Sequence, residues 1–187
     1  MDTNTLIESL MYNWHVWLVA VVMIVAAVID GMILKVPNWL TYPFIISGWV
    51  YAAMASGWNG LGYSLLGTFV GMMLLLVVRA VGGMGAGDVK LLAGLGAWMG
   101  ASTAWWAFVW TTVVGGIIAV IMIAMSGNWF KHYAMFHQII QEFVTIRNPE
   151  KLAAIARERK PTMKLLPYGI PMAIGSILYF AYAGMFV

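Results

Sequence analysis

The chain contains no cysteine, which excludes disulfides, thiolate metal sites and cysteine nucleophiles and leaves the redox compartment unread. Charge is nearly as scarce, at 9% of the 187 positions, where an ordinary soluble domain carries about 25%. That scarcity excludes a water-soluble globule. Acids number only seven, and no Lys or Arg precedes Lys35. The N-terminus, with Asp2 and Glu8, therefore lacks the positive n-region of a cleavable signal peptide. Its first apolar run is expected to stay as a membrane helix.

What the chain has instead is apolar sequence, 63% of it, the composition of a polytopic membrane protein. Apolar runs predict helices at Trp14–Ile29, Leu40–Ala55, Leu61–Ala80, Val89–Met99, Ala104–Met125 and Leu165–Val187. Turns are expected at Pro37-Asn38, Ser56–Gly60, the glycine cluster 82–87, Gly100–Ser102 and the polar stretch Ser126–Lys164. About six spans of about 20 residues leave no room for a separate soluble domain, so residues 1–187 are expected to form one integral-membrane domain with a cytoplasmic loop at 126–164. With the N-terminus outside, all ten Lys and Arg fall on the cytoplasmic side. The positive-inside rule then predicts an N-out, C-out, all-α, multi-pass protein of the cytoplasmic (inner) membrane. The fourth run, Val89–Met99, is too short to cross about 30 Å of hydrocarbon as a straight helix. It is expected to draw on flanking residues or to sit partly re-entrant.

Five of the seven acids lie in the N-terminal tail or the long loop; the remaining two are Asp30 and Asp88. An ionised residue at the centre of a membrane helix costs roughly 2.5–3.5 kcal/mol even on the lenient insertion scale, so such acids are functional candidates by default. Asp30 closes an outside-to-inside run and Asp88 opens an inside-to-outside one, which sets both carboxylates at the cytoplasmic edge. Packing of the first and fourth runs would let them act as an aspartyl dyad. The competing interpretations are local: Asp88 as a helix cap and Asp30 as an interfacial partner of Lys35.

The glycines at 82, 83, 85 and 87 lack the spacing of a phosphate-binding loop, and no strand precedes them. Close backbone approach is the better explanation, and Gly67-x-x-x-Gly71 reads as plain helix packing. His15, His132 and His137 are too scattered for a metal site, and no cofactor is expected. In the long loop, Trp129, Phe130, Tyr133, Phe136, Ile140, Phe143 and Val144 recur at helical spacing, as in an amphipathic helix lying in the membrane interface. Asn148-Pro149 should break it, with a short basic helix over Glu150–Lys160. Seven basic against three acidic residues between 126 and 164 suit anionic lipid headgroups or a docked partner. Nucleic acid is not expected, because orientation already accounts for these charges.

Gly85-Ala86-Gly87-Asp88-Val89-Lys90-Leu91 resembles the GxGD motif of the prepilin and preflagellin peptidases, which are membrane aspartyl proteases. Asp30 with Val36-Pro37-Asn38-Trp39-Leu40-Thr41 is similar to that family's first catalytic aspartate and its Ile-Pro-Asn loop, with Val36 where isoleucine is usual. Leu166-Pro167-Tyr168-Gly169-Ile170-Pro171 is similar to the Pro-Tyr-Gly start of its last helix. The three elements run in order from about Val22 to Gly175.

The resemblance implies a GxGD aspartyl protease fold, with Asp30 and Asp88 catalytic. Gly85, Gly87, Lys90, Pro37, Asn38, Pro167, Tyr168 and Gly169 would then shape the site. The implied substrate is a type IV prepilin, cut at the cytoplasmic membrane face after the glycine that ends its leader. The large N-terminal insertion with paired CxxC motifs found in the long members of the family is missing, so N-methylation is not expected. What remains resembles the short TadV/CpaA type, which serves Flp-like pilins. The rival class is a transporter or channel using the paired aspartates as a proton or cation relay, which would want acids near mid-membrane and inverted repeats.

Overall fold

The computed structural model describes residues 12–80, 84–127, 129–146 and 167–186, together with 148, 151, 154, 155 and 158. Every regular element among them is an α-helix: α1 Trp14–Ile33, α2 Asn38–Ala80, α3 Ala86–Ser126, α4 Trp129–Thr145 and α5 Gly169–Tyr182. Three helices are long and apolar enough to cross a membrane, namely α1, α2 over Asn38–Leu76, and α3; α5 is a shorter apolar helix.

The two longest helices are not straight. Ser56 and Gly57 leave helical geometry inside α2, with Gly57 at φ 59°, ψ −142°, and Gly100 does so inside α3 at φ 81°, ψ 173°. Glycine alone tolerates such backbone at little cost. The turns expected at Ser56–Gly60 and Gly100–Ser102 thus shrink to two residues and one. Each side of each break is called an arm below: 38–55 and 58–80 in α2, 86–99 and 101–126 in α3. Trp49 donates its indole N–H to Thr68 Oγ1 at 2.9 Å, which requires the two arms of α2 to fold back as an antiparallel hairpin.

The arm 86–99 is the centre of the bundle. Every residue from Leu91 to Trp98 is buried, as in a helix surrounded on all sides. Small residues allow this. Gly94 lies under the Phe44 ring, and a Cβ on Gly67 would overlap the carbonyl oxygen of Gly96. Trp98 donates to the Phe44 carbonyl at 2.9 Å and Ser64 to that of Ala97, joining the central arm to both arms of α2. In lipid, where water offers no competing partner, van der Waals contact and such bonds hold helices together. On the other side, Gly175 of α5 lies against the backbone of Trp110 and Thr111, and Trp17 of α1 against Phe186 at 4.6 Å.

Several boundaries differ from the sequence expectation. α1 continues to Ile33, so Asp30 sits inside its last turn rather than at its end. The fourth run starts three residues early, at Ala86, which lengthens the short segment from its N-terminal side. The last helix is trimmed to Gly169–Tyr182. The amphipathic stretch is helical as α4, although several of its apolar side chains, Tyr133 and Phe136 among them, lie outside the described residues. So do Gly82, Gly83, Pro149 and most of Glu150–Lys160.

Candidate active site

The buried residues of α1 are Val16, Val19, Ala20, Met23, Ala26 and Asp30, a stripe at spacings of three and four. Asp30 therefore occupies a core position of an apolar helix and faces the bundle interior, only 4% exposed. Its Oδ2 accepts the Gly169 N–H at 2.8 Å. A Cβ on Gly169 would sit 2.9 Å from the Asp30 Cβ, so glycine is what admits this contact. The bond places the carboxylate at the N-terminus of α5, where free backbone N–H groups favour an acceptor.

Asp88 is the third residue of α3 and is 7% exposed. Its Oδ2 accepts the Gly85 N–H at 3.1 Å, the carboxylate half of a capping box. The capping role weighed from the sequence is thus present, with Gly85 rather than Asp88 at the cap position. Neither loop glycine needs left-handed backbone. Gly85 is extended at φ −76°, ψ 156°, and Gly87, inside the helix, is not among the positive-φ glycines. The requirement at Gly87 is space, because a Cβ there would lie 2.5 Å from the Val36 carbonyl oxygen.

One turn lies near both acids. Gly169 binds Asp30, and the preceding residue, Tyr168, has its hydroxyl beside Thr112 and within electrostatic reach of Asp88. Pro167 opens this turn, its carbonyl accepting the Ile170 N–H at 3.2 Å. The buried carboxylates thus lie at the same end of the bundle, flanked by consecutive residues of a third element. At the opposite end Trp14 meets the Tyr51 and Trp98 rings edge to face at 5.2 and 5.9 Å, and Tyr51 stacks on Trp98 at 5.0 Å. An apolar cavity of about 850 Å³ on the flank of α2, lined by Trp14, Pro43, Ile46, Val50, Met54 and Trp98 among others, includes neither aspartate.

Lys90 takes a different direction from the one its place in the motif suggests. Two residues along a helix is a rotation of about 200°, so Lys90 leaves α3 on the side away from Asp88. Its ammonium donates to Asn38 Oδ1 at 2.8 Å and Tyr42 Oη at 2.9 Å. Asn38 opens α2, and the Pro37 carbonyl accepts the N–H groups of Leu40 and Thr41 at 3.2 and 3.3 Å. The sequence had not marked Tyr42 or Thr112. Tyr42 was findable, standing one helical turn after Asn38; nothing local marks Thr112. Among the described residues no three His, Asp or Glu side chains converge as metal ligands would.

Comparison with known proteins supplies independent findings. The model of the type IV leader peptidase family matches residues 17–120, a stretch that holds Asp30, Pro37, Asn38, Gly85, Gly87, Asp88 and Lys90 but stops short of Pro167–Gly169. The prepilin leader peptidase/N-methyltransferase of Neisseria gonorrhoeae is 31% identical over 109 residues, covering 54% of this chain and 38% of that protein. The protein of the same name from Aeromonas salmonicida (strain A449) is 30% identical over 107 residues, covering 54% and 36%. The chain spans less than two-fifths of the length of these relatives. No solved structure matches it.

Proposed function

The chain belongs to the type IV leader peptidase family, and from that premise we propose that it is a prepilin leader peptidase that cuts with Asp30 and Asp88 as an aspartyl dyad. The observation that carries this reading is the pair of buried carboxylates at one end of the bundle, with the Gly169 N–H bound to Asp30 and Tyr168 next to it in the chain within electrostatic reach of Asp88. Carboxylates brought together in a poorly solvated site share one proton, because both cannot ionise cheaply. The ionised member takes a proton from water as that water attacks the scissile carbonyl carbon. The protonated member hydrogen-bonds the carbonyl oxygen and afterwards passes its proton to the leaving amine. Backbone donors at Gly85 and Gly169 hold the two carboxylates in place through both steps.

The same reading makes the chain a multi-pass protein of the inner membrane with six crossings, N-out and C-out. Helical arms that fold back at Gly57, together with the confinement of Lys and Arg to alternate connections and the helix ends beside them, support it. Prepilin substrates of the short, Flp-like kind suit a chain without paired CxxC motifs, and cleavage at the cytoplasmic edge suits a substrate whose hydrophobic helix stays in the bilayer. A proton or cation relay is less well supported, since both acids sit at helix ends rather than at mid-helix. Co-expression with Flp-type prepilins tests the proposal: leader removal appears as a mobility shift on a gel. Absence of any shift across such prepilins, with both proteins inserted, would count against it.

A further inference from the structure

Lys90 is the fifth residue of α3, near the positive end of the helix dipole, where a cation is electrostatically disfavoured. Snorkelling alone would send its ammonium to water or headgroups. It instead lies on two oxygens of another helix, Asn38 Oδ1 at 2.8 Å and Tyr42 Oη at 2.9 Å, with the Tyr42 ring centroid 4.3 Å away. Both acceptors belong to the first turns of α2, immediately after the turn that leaves Asp30. That turn is held against its own preference. Leu34 has φ 52°, ψ 36° and donates its N–H to the Asp30 carbonyl at 2.8 Å, and a non-glycine residue in the left-handed region is costly unless its surroundings fix it. On the far side of the turn, Val36 is pressed onto Gly87.

We propose that Lys90 is a positioning residue: with Asn38 and Tyr42 it clamps the start of α2 onto the start of α3. The clamp holds the turn over residues 34–37 and thereby fixes the spacing between the segment after Asp30 and the segment carrying Asp88. The clamp itself is a claim about structure; its effect on cleavage rests on the peptidase reading above. Lys90 touches neither the scissile bond nor the dyad in this scheme. Its removal leaves substrate capture intact and misplaces the carboxylates, and a displacement of about 1 Å can cost a reaction about 10²-fold.

The test compares wild type with Lys90→Met, Lys90→Arg and Tyr42→Phe in the full-length protein reconstituted in lipid nanodiscs, using two readouts. Amide hydrogen exchange over residues 34–42 needs no activity: it accelerates in Lys90→Met, stays near wild type in Lys90→Arg, and is intermediate in Tyr42→Phe. Cleavage kinetics on a processed prepilin then separate kcat from KM. In Lys90→Met kcat falls about tenfold or more with KM within about twofold, and Lys90→Arg recovers most of it. Unchanged exchange over 34–42 in Lys90→Met overturns the clamp whatever the activity. A loss carried wholly by KM overturns the positioning role of Lys90 in cleavage. Faster exchange in a protein whose wild type cuts no prepilin supports the clamp and overturns the peptidase reading instead.

Discussion

At the scale of single residues, glycine does the placing at both acids, by absence of bulk rather than by backbone freedom. A Cβ on Gly169 would press on Asp30, and one on Gly87 on Val36. Gly169→Ala and Gly87→Val should therefore each lower processing by about 10²-fold at equal protein level. Gly62→Ala, where the added methyl meets nothing within 4 Å, should process like wild type. Quantified leader removal in the three variants checks this, and near-equal activity would detach the glycines from the site. Gly67, read from the sequence as plain helix packing, does pack, and its crossing with Gly96 has no room for a methyl group. The shared proton of the proposed dyad gives a further expectation: kcat/KM should follow a bell-shaped pH profile belonging to the pair, unaffected by EDTA. Loss of cleavage in EDTA with recovery on adding zinc would contradict it.

At the scale of elements, the bundle depends on two breaks inside long helices. Gly100 lies at φ 81° under the Tyr63 ring, whereas Gly57 lies at φ 59° in open space. Alanine at Gly57 should then cost only the backbone penalty, on the order of 1–3 kcal/mol, while alanine at Gly100 should cost more because the ring must also move. Thermal unfolding in detergent, with Gly116→Ala as the unstrained reference, should rank the three in that order. These breaks were legible in the sequence as turn-rich stretches, and so were both aspartates, as isolated acids in apolar surroundings. The extent of the breaks was not. Trp58 and Asn59 read as turn residues, yet the helix resumes at once because the hairpin is closed by contacts such as Trp49 to Thr68, 19 residues apart. The direction of Lys90 was hidden for a related reason. Chain proximity to Asp88 suggested a shared site, while helical rotation sent the ammonium to acceptors 52 and 48 residues away.

At the scale of the whole molecule, burial in α1 and the central arm 86–99 puts the carboxylates at one end of the bundle and the Trp14, Tyr51 and Trp98 cluster at the other. The proposed topology makes the first end cytoplasmic. The natural absence of cysteine makes this easy to check: single cysteines at Lys35 and at Ser102 should differ in labelling by a membrane-impermeant maleimide added to intact cells, position 102 reacting and position 35 protected until lysis. The reverse pattern would invert the protein and move the acids to the outer face. The central claim, that Asp30 and Asp88 together cut a prepilin leader, is tested most directly by reconstituting the wild type, Asp30→Asn and Asp88→Asn with a prepilin that the wild type processes, and reading the product N-terminus by mass spectrometry. The wild type should release the leader after its terminal glycine, and each variant, present and inserted at the same level, should be slower by about 10²–10⁴-fold. Cleavage near the wild-type rate in either variant would contradict the dyad.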